Sequence, residues 1–139
     1  MTIPDELSDI DALAQLSFVV QQKLQRRVSG HDLSMIQIRL LGVLRDRHPT
    51  MKELGALLDL DKSSVSGLVV RAEQRDLVSR ETDETDRRVI RVSLSPMGRR
   101  LVTEVSTGFD EDMNELLSPL SAADRRRLTG LIGRILPSQ

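Results

Sequence analysis

Residues 50–98 read TMKELGALLDLDKSSVSGLVVRAEQRDLVSRETDETDRRVIRVSLSPMG, and the order of patterns in this stretch decides the fold. Thr50 and Glu53 form a T-M-K-E capping box, in which the hydroxyl accepts the Glu53 N–H and the carboxylate reaches back. Leu54, Leu57 and Leu58 follow at helical spacing and are expected to face inward. A polar turn, Asp59-Leu60-Asp61, leads to a second helix for which Asp61 is the expected N-cap. There Val65, Leu68, Val69 and Ala72 share one face. A strand is expected over 77–81. Another is expected over 89–93, with Ile90, Val92 and Leu94 on one side and Arg91 and Ser93 on the other. The charged loop DETDRR lies between the strands. Helix, turn, helix, strand, loop, strand is the order of a winged helix-turn-helix.

The outer face of the second helix carries Lys62, Ser63, Ser64, Ser66 and Gly67 at its start, then Arg71 and Gln74. Three serines and a glycine leave little side-chain bulk, so the helix can approach base edges and phosphates, and its own N–H groups favour an anion. Arg87 and Arg88 sit near the tip of the charged loop. Arginine in such a loop can enter a narrow minor groove, where the potential is most negative. The bland alternatives are an ordinary amphipathic surface helix and a hairpin tip charged for solubility. The combination favours duplex DNA, with Lys62, Ser63, Ser64, Ser66, Gly67, Arg71, Arg87 and Arg88 as the expected contacts.

Charge distribution agrees with this although total charge does not. Between Lys62 and Arg100 there are nine basic and six acidic side chains, a local balance of +3 in a chain whose net charge is -1. Local positive charge is what attracts phosphates. A solvated surface with uneven charge is the alternative.

Helical patterns flank this unit. From residue 7 to 28 the positions Ile10, Leu13, Ser17, Val20, Leu24 and Val28 fall on one face, widened by Leu16, Phe18 and Val19. Such a stripe should be buried, against this chain or a second one. The next helix starts after Asp32 or Ser34, is expected to turn Ile36, Leu40, Val43 and Leu44 inward, and is stopped by Pro49. Beyond the wing, Ser95-Pro96 opens a helix running to about Leu117. After Ser118-Pro119, Ser121 caps a last helix, whose Leu128, Leu131, Ile132 and Ile135 are expected to point inward. The chain thus divides into an N-terminal helix at 1–32, a winged helix-turn-helix at 33–98 and C-terminal helices at 99–139, the outer helices packing either on the same core or against a second chain. The fold class is mainly α with a small β wing.

Composition excludes several functions. Two Phe and no Tyr or Trp argue against an aromatic platform for single strands. Without cysteine there are no disulfides, thiolate metal sites or thiol sensors. His31 and His48 stand at opposite ends of one helix with no third ligand beside either, so no metal is expected. No cofactor is expected, and nothing resembles a catalytic acid pair or a phosphate loop, so the chain is not read as an enzyme. The acidic start MTIPDELSDIDAL lacks the apolar core of a signal peptide, and no apolar run approaches a membrane span. A cytoplasmic location with no membrane partner is expected. A helical protein-interaction module without DNA binding remains the rival class.

The stretch from Glu53 to Gly98 resembles the MarR (multiple antibiotic resistance regulator) family of transcription factors. The carrying residues are the helix-turn-helix and a wing signature of Asp86-x-Arg88, an alternating strand, Leu94-Ser95 and Gly98. The resemblance implies a homodimer built from the first, fifth and sixth helices, double-stranded DNA as partner, repression of pseudo-palindromic operators and a small-molecule effector that can release them. The departures are Val70, where the family often has an Asp that pairs with the wing arginine; Gly67, where Arg or another polar residue is frequent; Ala72 for Leu; and Asp76 for Gly. Asp76 must then adopt the left-handed turn that glycine makes easily. With no cysteine, the oxidant sensing of some relatives is excluded.

Overall fold

The computed structural model describes residues 7–137; residues 1–6 and 138–139, including the first part of the acidic segment weighed as a leader, lie outside the described part. The elements run α1 (Asp9–Ser29), α2 (Met35–Val43), α3 (Met51–Leu58), α4 (Lys62–Gln74), β1 (Val78–Thr82), β2 (Ile90–Leu94), α5 (Pro96–Leu116) and α6 (Ala122–Ile135). This is the mainly α fold with a two-stranded wing that the pattern predicts.

The helix starts follow from six capping side chains. Ser8, Ser34, Thr50, Asp61, Ser95 and Ser121 each accept the N–H three residues on, satisfying a donor that the helix leaves unpaired. The reciprocal box forms at Ser34, whose N–H donates to Gln37 Oε1 at 2.8 Å. At Thr50 only the forward half forms, from the Glu53 N–H at 3.1 Å. The Glu53 carboxylate instead contributes to the field that favours the charged form of Arg91. Asp76 takes the left-handed turn at φ 58°, as do Asp32 at 56° and Asp59 at 54°. Aspartate tolerates this region because its short polar side chain can bond locally.

The core lies where α2, α3, α4 and the wing meet, joined by Val28 of α1 and by Val102 and Val105 of α5. Leu40, Leu44, Leu54, Leu68, Val69 and Val92 are all essentially inaccessible. The four apolar positions assigned to the inner face of α4 are buried. Three expectations need correction. Leu57 is 41% exposed, because α3 has only two turns and buries Leu54 and Leu58 alone. On α2 the buried set is Ile38, Leu40 and Leu41, while Ile36 and Val43 are half-buried; the helix is apolar nearly all round, so periodicity mis-sets its face. Pro49 does not stop α2, which ends at Val43. Pro49 is buried and its carbonyl accepts the Val92 N–H at 3.0 Å, so the link before α3 pairs with β2.

The strands are antiparallel, with Val78 opposite Leu94 and Thr82 opposite Ile90. They lie one residue later than expected because the Leu77 N–H closes the end of α4 on Ala72 O at 3.0 Å.

The terminal helices contrast with this core. α6 has no buried residue. Leu131, Ile135 and Leu136 are more than half exposed, as are Ile10, Leu13 and Phe18 of α1. The inward orientation expected for Leu131, Ile132 and Ile135 is therefore wrong for this chain taken alone. α1 is instead tied to α5 by Arg27, whose Nε and Nη2 donate to Asp112 at 2.7 and 2.9 Å. Gly108 allows this crossing: a Cβ there would stand 2.9 Å from the Arg27 Cδ and Nε atoms.

Candidate nucleic-acid interface

Helix α4 stands on its buried Val65, Leu68, Val69 and Ala72 and turns its other side outward. Lys62, Ser63, Ser64 and Arg71 are exposed; Ser66 and Gly67 are half-buried beside them. At about 100° per residue, Ser63, Gly67, Val70 and Gln74 form the centre of this outer face. Val70, first noticed only as a missing brace, is 39% exposed there, an apolar side chain that charge-based reasoning passes over.

The helix start is not an open anion site. Asp61 Oδ1 accepts the Ser64 N–H at 2.8 Å and the Ser63 hydroxyl at 2.9 Å. These bonds, the Ser64 backbone first, hold the Asp61 carboxyl below the usual carboxylate range. The carboxylate already meets the positive end of the helix dipole, so the side chains rather than bare N–H groups carry the surface.

Recesses flank α4. One, about 700 Å³, lies toward α3 and β1 and is lined by three cations, Lys52, Lys62 and Arg80, together with the acid Asp59. The other, about 320 Å³, lies between Ile36, Leu60, Ser63, Ser64, Gly67 and Arg71. Lys52 and Arg80 are outside the set expected from sequence. Arg80 was hidden in a strand, and Lys52 belongs to the helix before the recognition helix.

The wing is braced without an aspartate at position 70. Arg80 Nε donates to Glu73 Oε1 at 2.7 Å, joining β1 to α4. Arg91 Nε donates to Asp83 Oδ1 at 2.6 Å and its Nη1 to His48 O at 2.9 Å, joining the loop to the segment before α3. The second Asp83 oxygen accepts the Thr85 and Asp86 N–H groups, each at 3.1 Å. The Arg91 guanidinium, then the Thr85 hydroxyl, hold the Asp83 carboxyl far below the usual carboxylate range. Asp83 reciprocally raises Arg91.

At the tip, Asp86 Oδ1 accepts both the N–H and the Nε of Arg88 at 3.1 Å. This gives the Asp-x-Arg signature a physical role, since the aspartate shapes the turn and holds the arginine. It also lowers the Asp86 carboxyl, chiefly through the Arg88 side chain. Arg87 is exposed and, among the described residues, has no ion pair, so the two tip arginines are not equivalent.

Ser95 and Gly98 lock the wing base to α5. The buried Ser95 hydroxyl donates to Asp76 O at 2.6 Å and accepts the Gly98 N–H at 2.9 Å, while Ser95 N donates to Leu77 O at 3.0 Å. A Cβ at position 98 would lie 2.0 Å from Leu77 O, so no side chain fits. Arg75, just past α4, donates to Asp32 O at 2.7 Å and so ties that end of the recognition helix to the α1–α2 corner.

His31 is half-buried with Glu104 Oε2 at 3.8 Å, and His48 is exposed. Among the described residues no three potential ligands gather into a metal site. No helix among them is long and apolar enough to cross a membrane.

Comparison with known proteins places this geometry. The sequence profile of the MarR family matches residues 31–89. The HTH-type transcriptional regulator MgrA of Staphylococcus aureus is 31% identical over 107 residues, covering 76% of this chain and 71% of that protein. The HTH-type transcriptional regulator PecS of Dickeya dadantii is 26% identical over 130 residues, covering 91% and 78%. Among solved structures, a point mutant of S. aureus MepR superposes with a TM-score of 0.79 at 23% identity, covering 92% of this chain and 96% of that one. MepR has also been solved bound to an oligodeoxyribonucleotide, with a TM-score of 0.69 at 23% identity and coverage of 94% and 96%. With ethidium bromide bound, it has a TM-score of 0.69 at 23% identity and coverage of 92% and 94%.

Proposed function

The chain belongs to the MarR family of DNA-binding transcriptional regulators, and from that premise we propose that it is a cytoplasmic, homodimeric repressor of pseudo-palindromic operators. The observation that carries the reading is the apolar surface left on α1 and α6 beside a complete winged helix-turn-helix. A second copy of the chain covers that surface. Residues 1–32 and 99–139 then form the dimer frame, and 33–98 the DNA-reading unit. Two-fold symmetry sets two α4 helices about one DNA turn, or ~34 Å, apart.

In this reading Ser63, Ser64, Ser66 and Gly67 lie against base edges and Arg71 beside them. Lys62 meets a phosphate. The recesses on either side of α4 admit the two backbones that border a major groove. Arg87 and Arg88 meet the minor groove or its phosphates. The solved MepR complex with an oligodeoxyribonucleotide supports duplex DNA as the partner of this fold.

MepR bound to ethidium supports a small-molecule effector as well. The candidate space here lies between α1, α2 and α5, lined by Leu24, Ile38, Arg45, Val102, Ser106 and Phe109. It measures about 190 Å³. That is smaller than the roughly 300 Å³ at which ligand pockets usually begin. An effector larger than this space would displace α1 and α5 from α2, and a displacement passed through the dimer frame would change the spacing of the two α4 helices. A ligand that binds the displaced arrangement better shifts the population away from the DNA-binding one.

The test is selection of bound duplexes from a random library at two salt concentrations. The proposal expects a palindrome whose affinity falls steeply with salt. A protein that shows no salt-sensitive affinity for duplex DNA would instead be a helical interaction module.

A further inference from the structure

We propose that Arg71 reads a guanine in the major groove by reaching forward across Gly67. This rests on the DNA-binding reading above and assigns the base type that one side chain recognises.

Side chains on a helix lean toward its N-terminus, and a residue four positions earlier lies on the same face. Arg71 does this in an unusual way. A Cβ at Gly67 would stand 3.2 Å from Arg71 Nη1, so the guanidinium rests over bare backbone where any other residue would place a side chain. Glycine inside a helix weakens it, and this one lies in the middle of α4. Its benefit is the seat it gives to Arg71.

The charge of Arg71 is also uncommitted. Arg27, Arg80, Arg88 and Arg91 each pair with a carboxylate. Arg71 has no such pair among the described residues, and the recess that it lines with Ser63, Ser64 and Gly67 contains no acidic side chain. It is exposed, on the same outer face as the serines. A planar guanidinium with two free N–H groups matches the O6 and N7 acceptors of guanine, which no other base pair presents together in the major groove. Lysine lacks that fork. The serines beside it reach either donors or acceptors, so Arg71 carries the sharper base preference.

The experiment starts from the duplex that the wild-type chain enriches. Affinities are then measured for every single-base change in one half-site, with wild type, Arg71→Ala, Arg71→Lys and Gly67→Ala. The wild type should prefer guanine at one position by roughly 5- to 100-fold. Arg71→Ala should lose most of that preference while keeping the others, and Arg71→Lys, which can still donate to O6 and N7 but lacks the planar fork, should retain only part of it. Gly67→Ala, which leaves the arginine in place but fills its seat, should weaken the same preference. Circular dichroism should show all four folded. Equal weakening on every duplex with a shallower salt dependence would make Arg71 a phosphate contact and overturn the proposal. Unchanged base preferences in Arg71→Ala would overturn it too. A guanine preference untouched in Gly67→Ala would overturn the role of the seat. A wild-type chain that enriches no duplex overturns the DNA-binding reading itself, and this inference with it.

Discussion

Helices α4 and α6 are 13 and 14 residues long, and each opens on a capped N-terminus. Yet α4 buries four residues and α6 buries none. Helix length, capping and an apolar stripe therefore do not decide whether a helix is supported by its own chain. The winged unit is closed: α4 sits on α3 and β1, and its far end is held by Arg75. The frame is more open, with apolar stripes exposed on α1 and α6, while buried Val28 and the bidentate Arg27–Asp112 pair hold the end of α1 to α5. The chain completes the winged unit and leaves apolar faces of α1 and α6 exposed.

That difference can be broken from either side. The largest effect belongs to the frame. Leu131→Asp combined with Ile135→Asp should leave monomers in analytical ultracentrifugation and weaken operator binding by about 100-fold or more, the usual gain from linking two sites. The winged unit should keep its helical spectrum. On the closed side, Leu68→Ala removes a buried side chain from under α4. It should cost about 2–4 kcal/mol in urea unfolding while leaving dimer contacts intact.

Smaller effects separate the wing's brace from its tip. Asp83→Asn removes the charge that holds Arg91. It should weaken binding to all duplexes by roughly 3- to 10-fold, the worth of one or two wing contacts. The pH dependence has a defined sign. The folded-state value of Asp83 is depressed, so its contribution is complete above the ordinary aspartate value of about 3.9. It is lost only as pH falls through the lower folded value. Between about pH 5 and 8 the wild-type brace should therefore be insensitive to pH. The smallest effects are at the tip. Arg87→Ala should lower the salt dependence by about one unit on every sequence. Arg88→Ala should cost less, because Arg88 must loosen from Asp86 before it can engage DNA. Fluorescence anisotropy at several salt concentrations orders the two.

Much of the closed unit was legible in the sequence, since its signals are local. Capping residues, the alternation of Ile90, Val92 and Leu94, and the buried face of α4 all lie within a few positions of one another. The left-handed turn at Asp76 was legible only through the family resemblance, which puts a glycine at that position. Less was legible where contacts are long-range. The bond from Arg91 to His48 joins residues 43 positions apart, and no periodicity announces it. The partner of Arg80 was hidden because Glu73 belongs to a helix and Arg80 to a strand. The stripe on α6 was read as inward because hydrophobic spacing says that a face is buried and is silent about which chain buries it. Among the eight expected DNA contacts, Ser66 and Gly67 are the least exposed. Asp61 takes up the anion-binding end of the helix that serine-rich composition had left open.

In the proposed dimer each chain carries one reader and half of a frame. This arrangement is tested most directly by binding the wild-type protein to duplexes carrying one half-site, two half-sites at the selected spacing, or two half-sites pushed about 5 base pairs further apart, which is half a turn. Tight binding is expected only at the selected spacing, with a loss on the shifted duplex nearly as large as on the single half-site. Equal affinity for all three duplexes would contradict the arrangement.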